Sequence, residues 1–470
     1  MPTSLNARLT PILTQALTLL LLLPLAASAQ PATLFENAPV ITGDGRLLVD
    51  ADLLVRGDTL IDVGDAASFS LPADTTRVDL SGRFIMPALI DAHAHLGYQS
   101  PDGWGADYYS RENLLGNLRQ YAWYGFAAVL SAGSDPEDLA LSLQAEQAAA
   151  VAAGADDSLA ASARFLFAAG MGPPGQGPND AFLEETAVVS ARTGMTILRA
   201  VDSPVAAIRQ VREVARKNIP FIKIWVDDRG GSQDKLPPDL YLPLLAEAMR
   251  QRIDVFVHQQ YPADMPPLIE GGASGFLHGR LGPELGPDIA AAMARERVFL
   301  VPNLGLGELR REAIGRDPFL QPVLPEPVAA RLAATGGGRL AAPPPDPARD
   351  APLETSLRHL QEAGASIVLG TDAGALPDHP FGYAGHRELE IFVRLGMSPM
   401  QALVAATGAA AAELKQSDLG VLEPGRRASF VVLAADPLVD IRNTRRIESV
   451  YLNGRAIDRD VIARSLRGAR

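Results

Sequence analysis

The sequence predicts an α/β protein: a (β/α)8 TIM barrel with a small β-sandwich domain built from the N- and C-terminal segments. Three observations predict it. Short apolar strands alternate with Ala/Leu/Glu/Arg-rich helical stretches through the middle of the chain. Turn-punctuated β runs sit at both ends. Several metal-competent side chains fall at the ends of the middle strands, where a barrel of this kind displays its functional groups.

The bulk properties fit that class. The chain has 470 residues, 47% of them hydrophobic, enough for one large barrel and a smaller unit. A formal net charge of −13 disfavours nucleic acid as a partner, because phosphates need stripes of Lys and Arg. No basic amphipathic helix suggests a membrane surface. There is no cysteine, so disulfides, thiolate ligands and cysteine nucleophiles are excluded. Any metal must be held by histidine, carboxylate or a less usual group.

In chain order, residues 1–29 read as a cleaved signal peptide. Arg8 supplies the positive region, Leu17 to Ala26 the apolar core, and Ala27-Ser28-Ala29 the small-residue cleavage site, so the mature chain is expected to start at Gln30. The apolar core falls short of the roughly 20 residues that span a bilayer. An exported, periplasmic or secreted protein is the expectation, with no membrane association after cleavage.

Residues 30–83 carry β-type runs such as Ala38-Pro39-Val40-Ile41 and Asp52-Leu53-Leu54-Val55, separated by Gly43-Asp44-Gly45 and Arg56-Gly57-Asp58. Residues 424–470 repeat the flavour with Ser429-Phe430-Val431-Val432-Leu433, then Ser449-Val450-Tyr451-Leu452 before the turn pair Asn453-Gly454. These two ends are expected to pair into the small domain. Residues 84–423 are expected to form the barrel. Its eight strands are read at Phe84 to Ile90, Phe126 to Leu130, Arg164 to Phe167, Phe221 to Val226, Val255 to Val257, Gly275 to Leu277, Val298 to Val301 and Ile367 to Gly370. The Pro-rich stretch Ala341 to Pro352 reads as a loop before the last strand.

Asp91-Ala92-His93-Ala94-His95 closes the first apolar run. Alternate residues of a strand point the same way, so His93 and His95 project together and supply half of a metal site. Lys223 lies in the fourth strand, flanked by Ile222 and Ile224. His258 ends the fifth strand, His278 the sixth and Asp372 the eighth. A protonated lysine has only donors and cannot ligate a cation, so by residue type alone Lys223 is metal-adjacent.

These motifs resemble the amidohydrolase superfamily of metal-dependent hydrolases, over nearly the whole mature chain. They are Met86 to His95, Ile222-Lys223-Ile224, Val257-His258, Leu277-His278-Gly279, Leu369-Gly370-Thr371-Asp372-Ala373-Gly374 and the tail Leu422 to Leu433. The pattern looks most like the prolidase-like and imidazolonepropionase-like branch. Ala88 stands where glycine is usual, and Ser429-Phe430 replace the usual Asp-Leu; neither touches a ligand.

The resemblance implies two divalent metal ions, with zinc suited to the donor set. His93, His95 and Asp372 would bind one and His258 and His278 the other. Lys223, as a CO2-derived carbamate, would bridge them. It also implies hydrolysis of an amide or peptide-like C–N bond by a metal-activated hydroxide, with Asp372 as general base and then general acid. Lactone or ester hydrolysis at the same site, a mononuclear deaminase and a cyclic amidohydrolase are the alternatives. The deaminase reading is weakened because Gln259-Gln260-Tyr261 after His258 contains no glutamate. A catalytically dead binding protein is disfavoured by the intact ligand set.

The expected partner is a small molecule or short peptide, with a homo-oligomer open. Candidate substrate-binding residues are Tyr98, Asp228, Arg280, His379 and His386, with Asp227 and Arg229 beside them. His359 reads as a solvated surface histidine.

Overall fold

The computed structural model describes Met1 and residues 31–468, apart from 156, 157, 260, 279–284, 310, 311 and 335–346. The signal-peptide segment and Arg280 therefore lie outside the described residues.

The two ends of the chain share one eight-stranded mixed sheet. The N-terminal part contributes β1 (Ala32–Ile41), β2 (Leu47–Arg56), β3 (Thr59–Gly64), β4 (Thr76–Asp79) and β5 (Phe84–Pro87). The C-terminal strands Phe430–Leu433, Ile447–Leu452 and Arg455–Ala456 extend it, the first of them antiparallel to β5. All four residues of Phe430–Leu433 are buried, for a period-2 reason. Phe430 and Val432 face the small domain's own core with Phe35 and Ile85, whereas Val431 and Leu433 face the barrel core with Met86. One strand pair thus serves two cores. Phe430 stacks on Tyr451 at 4.6 Å between centroids, and Phe35 meets its edge at 5.1 Å.

The run Phe84 to Ile90, expected as a single strand, divides at Ala88. β5 stays in the small sheet and β6 (Leu89–Ala94) enters the barrel. The backbone N–H groups mark the step: Ala88 donates to the Ser429 carbonyl and Leu89 to the Gly125 carbonyl.

After a short hairpin of β7 (Gln99–Ser100) and β8 (Gly103–Trp104), the barrel continues with β9 (Phe126–Ala132), β10 (Arg164–Gly172), β12 (Phe221–Val226), β13 (Asp254–Gln259), β14 (Gly275–Leu277) and β15 (Phe299–Val301). From β6 to β15 these strands pair in sequence order and in parallel. A further short strand, β11 (Leu198–Ala200), absent from the sequence reading, pairs with the upper half of β10.

Residues 367–370, expected as the eighth strand, form no regular strand. The closure is made by single bridges, Ile367 to Leu300 and Ala373 to Ala94. Between them Ala92 donates to the Leu369 carbonyl, and Thr371 and Asp372 both donate to the His93 carbonyl. A ladder cannot run on where Asp372 takes a left-handed φ of 58°.

The Pro-rich loop reading also needs correction. Residues 347–352 belong to the helix Pro347–Ala363, and 341–346 lie outside the described residues. Pro347 fits the first helical turn, where N–H groups lack intrahelical partners, whereas Pro352 lies inside the helix. Leu353, Leu357 and Leu360, at helical spacing, pack on the barrel core and hold the helix in place.

Inside the barrel, β12 shows how alternation builds a floor and a site. Phe221, Lys223 and Trp225 share one face. Phe221 stacks on Phe256 at 5.2 Å low in the barrel, and Trp225 lines a cavity of about 230 Å³ at the C-terminal strand ends. Lys223 lies between them and is 1% exposed. A larger cavity of about 410 Å³ lies at the other end of the barrel, beside Phe165 and Leu166. Its polar groups are already engaged with one another: Arg164 with Asp418, and Gln147 with Ser162 and Ala163.

Candidate metal centre

Ligand atoms of His93, His95 and Asp372 lie within 4.8 Å of one another, all buried. Nε2 of His93 is 3.3 Å and Nε2 of His95 3.1 Å from Asp372 Oδ1. Each ring is fixed from behind through Nδ1. His93 Nδ1 is 3.0 Å from Asn303 Oδ1, and His95 Nδ1 is 3.0 Å from Ser134 Oγ. The Asn303 oxygen can only accept, so His93 carries its proton on Nδ1 and presents the Nε2 lone pair to the site.

Asp91 ties this edge of the barrel shut. Its Oδ1 accepts from the His93 and Thr371 backbone N–H groups. Its Oδ2 accepts from the Tyr121 and Thr371 hydroxyls at 2.8 and 2.6 Å. Burial pushes its carboxyl up to about 6 against these four donors. The next turn is equally tight. A Cβ on Gly374, at φ +90°, would overlap the His95 carbonyl oxygen, so only glycine lets the two strand ends approach.

His278 and His258 form the other side. Strand alternation alone would turn His278 away from His258, since Leu277 is the residue in register with His258. A left-handed φ of 70° at His278 brings the rings to 4.5 Å between centroids. His278 Nε2 is 3.7 Å from Asp372 Oδ2. Asn303, Asp372 and Arg229 also adopt positive φ, at 52°, 58° and 54°. Such backbone costs of order 1–3 kcal/mol per residue and gathers where geometry outweighs stability.

The electrostatics suit cation binding. Burial pushes His93 and His258 well below the usual imidazole range and His278 down to about 3, leaving the rings neutral. Burial raises Asp372, but the neighbouring His278, His93 and His95 more than offset this and hold its carboxyl well below the usual range. Burial pushes the Lys223 amine far down, opposed by Asp372 and reinforced by Arg229. His93 Nε2, Asp372 Oδ1 and Lys223 Nζ are buried with no hydrogen-bond partner among the described residues. Unpartnered lone pairs this deep in a protein are costly, and a divalent cation satisfies them.

The other expected residues fall elsewhere. Tyr98 is fully buried and spends its hydroxyl on the Ser134 carbonyl at 2.8 Å, so it braces the loop behind His95. Asp228 folds into its own turn through the Gly230 N–H, while its neighbours Asp227 and Arg229 reach His258. His379 is buried away from the cavity lining, and its backbone exchanges hydrogen bonds with the Gln99 side chain. His386 is a structural histidine: Nε2 meets the Tyr124 carbonyl at 2.9 Å and Nδ1 meets Thr444 Oγ1 at 3.0 Å. His359 is half-buried against the Leu285 carbonyl rather than solvated.

The sequence reading assigned no role to Asn303, Ser134, Asp91 or Thr371. Asn303 had a signal, a polar residue just past the strand ending at Val301. Phe182, Trp225, Leu306 and Leu376 supply the apolar wall of the cavity.

A buried His-His-Asp group at the strand ends of a (β/α)8 barrel is a divalent-metal site of a hydrolase fold. In fold and in this site the chain resembles the amidohydrolase superfamily. Residues 353–457 match the model of the amidohydrolase family. Over 418 residues the chain is 25% identical to an imidazolonepropionase of Streptomyces griseus, covering 86% of this chain and 91% of that protein. Among solved structures it resembles a prolidase complexed with N-methylphosphonate-L-proline, at TM-score 0.67 and 22% identity over 91% of this chain and 99% of that one. It also resembles molinate hydrolase, at TM-score 0.68 and 18% identity over 92% and 95%. The structural likenesses bear on the fold.

Proposed function

We propose that this protein is a metal-dependent hydrolase of an amide or peptide-like C–N bond in a small molecule or short peptide. The observation that carries the reading is the convergence of His93, His95 and Asp372 beside a buried, unpartnered lysine amine. The S. griseus imidazolonepropionase and the prolidase support this bond class.

His93, His95 and Asp372 would hold one divalent cation and His258 and His278 a second, with zinc suited to the donor set. The cations supply a water activated at neutral pH and a polarised carbonyl. Burial lowers the Lys223 amine and so favours the neutral form that adds CO2 and releases one proton. The resulting carbamate would offer two anionic oxygens as ligands. Asp372 is anionic at rest. Its Oδ2 accepts the proton of the attacking water and returns it to the leaving nitrogen, so that the amine departs neutral. Trp225, Phe182, Leu306 and Leu376 exclude water from the apolar part of the substrate. The apolar segment Leu17 to Ala26 with Ala27-Ser28-Ala29 supports export of the chain.

The test is a hydrolysis panel of N-acyl amino acids, Xaa-Pro dipeptides, cyclic amides and lactones with the zinc-loaded protein in bicarbonate, read by mass spectrometry. Amide turnover that disappears in Asp372→Asn supports the reading. Turnover confined to lactones would overturn the bond class and keep the site.

A further inference from the structure

The two halves of the site are not equally open. On the first side, Nε2 of His93 and Oδ1 of Asp372 have no hydrogen-bond partner among the described residues. On the second side, Nε2 of His258 is already engaged. Arg229 Nη1 lies 2.8 Å from it and Asp227 Oδ2 lies 3.0 Å from it, and Arg229 and Asp227 pair with each other at 3.1 Å. A guanidinium only donates and a carboxylate only accepts, so Nε2 gives either its lone pair to Arg229 or a proton to Asp227, and in either tautomer no lone pair is left over. A divalent cation at His258 needs that same lone pair. It would also bring two positive charges next to the guanidinium's one in a poorly solvated site.

Arg229 is held in this place by more than the histidine. Nη2 donates to the Gly177 carbonyl at 2.9 Å. Gln233 then clasps the same loop, accepting from the Gly177 N–H at 2.9 Å and donating to the Pro178 carbonyl at 2.7 Å. Arg229 therefore sits where the loops after β10 and β12 meet over the cavity. Its own backbone and the two glycines that follow all have positive φ, at 54°, 73° and 96°. The glycines accept such angles without strain, so the segment can re-aim the side chain at low cost.

We propose that Arg229 competes with the second divalent cation for Nε2 of His258, so that the site loads in two unequal steps. This rests on the metal-hydrolase reading above. The first position fills without displacing any residue. The second fills only as Arg229 leaves His258, and the displaced guanidinium is then free to meet an anionic group in the cavity.

The experiment is zinc titration of chelator-stripped full-length protein in bicarbonate buffer, by calorimetry, with zinc per chain measured at limiting and excess metal. Wild type is compared with Arg229→Gln and Arg229→Lys, each checked for folding by thermal melting. Wild type should show two separated binding events. In Arg229→Gln the second dissociation constant should fall by about tenfold or more, the size of an ordinary coupling between sites. The first should stay within about twofold, as expected for a change that touches none of its ligands. Arg229→Lys should fall between, because lysine keeps the charge and loses the fork that reaches both Gly177 and His258; it carries the test if Arg229→Gln does not fold. Two indistinguishable events in wild type, or a second constant unmoved or weakened in the variants, would overturn the proposal. Failure of wild type to bind zinc at either position would instead overturn the metal-hydrolase reading.

Discussion

Asn303 Oδ1 stands 3.0 Å from His93 Nδ1, and this contact decides which face of the imidazole the metal site receives. The asparagine follows β15, which only the closing segment separates from β6, and it adopts a left-handed backbone. Replacing it with alanine leaves a buried N–H without its acceptor and frees the ring to rotate. Partners of this kind are worth about 10–100-fold in metal affinity. Asn303→Ala should therefore weaken zinc at the first position by that range, measured against a competing chelator, with the fold retained. Unchanged affinity would reject the role.

Asp91 should be a stability residue rather than a catalytic one. Its carboxylate accepts four hydrogen bonds that join β6 to the closing segment and to Tyr121. Asp91→Asn puts an N–H₂ group where two hydroxyls donate. The expected cost is about 2–4 kcal/mol, from the loss of hydrogen bonds to a buried charged acceptor. Urea unfolding of the metal-free protein measures it, and a change below about 0.5 kcal/mol, the range of ordinary surface substitutions, would contradict it.

Lys223 should destabilise the metal-free protein. Its folded pKa is lowered, so below its unfolded value folding must strip a proton from the amine. The unfolded state then binds the extra proton, and stability from this group rises with pH up to the ordinary lysine range. In CO2-free, metal-free buffer, Lys223→Met should melt at the same temperature as wild type or higher, and its stability should rise less between pH 7 and about 9. The same variant should lose hydrolysis. A lower melting temperature for metal-free Lys223→Met would show that the amine has a stabilising partner.

His386 gives the clearest acid-side test, because it lies outside the metal centre. Burial lowers it to about 3 from an ordinary 6.5, with the Tyr124 carbonyl opposing the shift. The folded state holds it neutral while the unfolded state takes a proton, so stability falls as pH drops below 6.5 and keeps falling towards the folded value. The slope from this one group approaches roughly 1.4 kcal/mol per pH unit. Glutamine retains a donor for the Tyr124 carbonyl and does not titrate. His386→Gln should remove about one proton from the linkage between pH 6 and about 4, measured by urea unfolding across pH. An unchanged slope would mean that other groups carry the acid sensitivity.

The strands and the histidines that gather at their ends were largely legible in the sequence because they obey local rules. An apolar run bounded by turn residues is a strand wherever it lies, so Phe221 to Val226 and Gly275 to Leu277 were placed with the bounds the structure shows. His93 and His95 share a face by strand periodicity alone. The errors occur where packing overrides the local signal. The run Phe84 to Ile90 looks uniform, yet Ala88 N–H pairs with the small sheet and Leu89 N–H with the barrel. The eighth strand is too apolar to signal that Asp372 bends out of the ladder. Residues 347–352 look like loop because of their prolines, and the burial of Leu353, Leu357 and Leu360 against the barrel makes them helix.

By itself the sequence determined the alternation of strands and helices, the joining of the two chain ends and the identity of the groups able to hold a cation. These depend on side-chain chemistry and on spacings of two to four residues, which a linear string carries. Tertiary structure alone decided that Tyr98 and His386 are structural and that Asn303 and Ser134 aim the histidines. It also decided that Arg229, rather than Asp228, turns towards His258. Each of those outcomes is set by a hydrogen-bond partner tens to hundreds of residues away, or by a left-handed backbone that reverses the expected face. Residue type and spacing do not encode such partners; they follow from how the closed barrel brings its strand ends together.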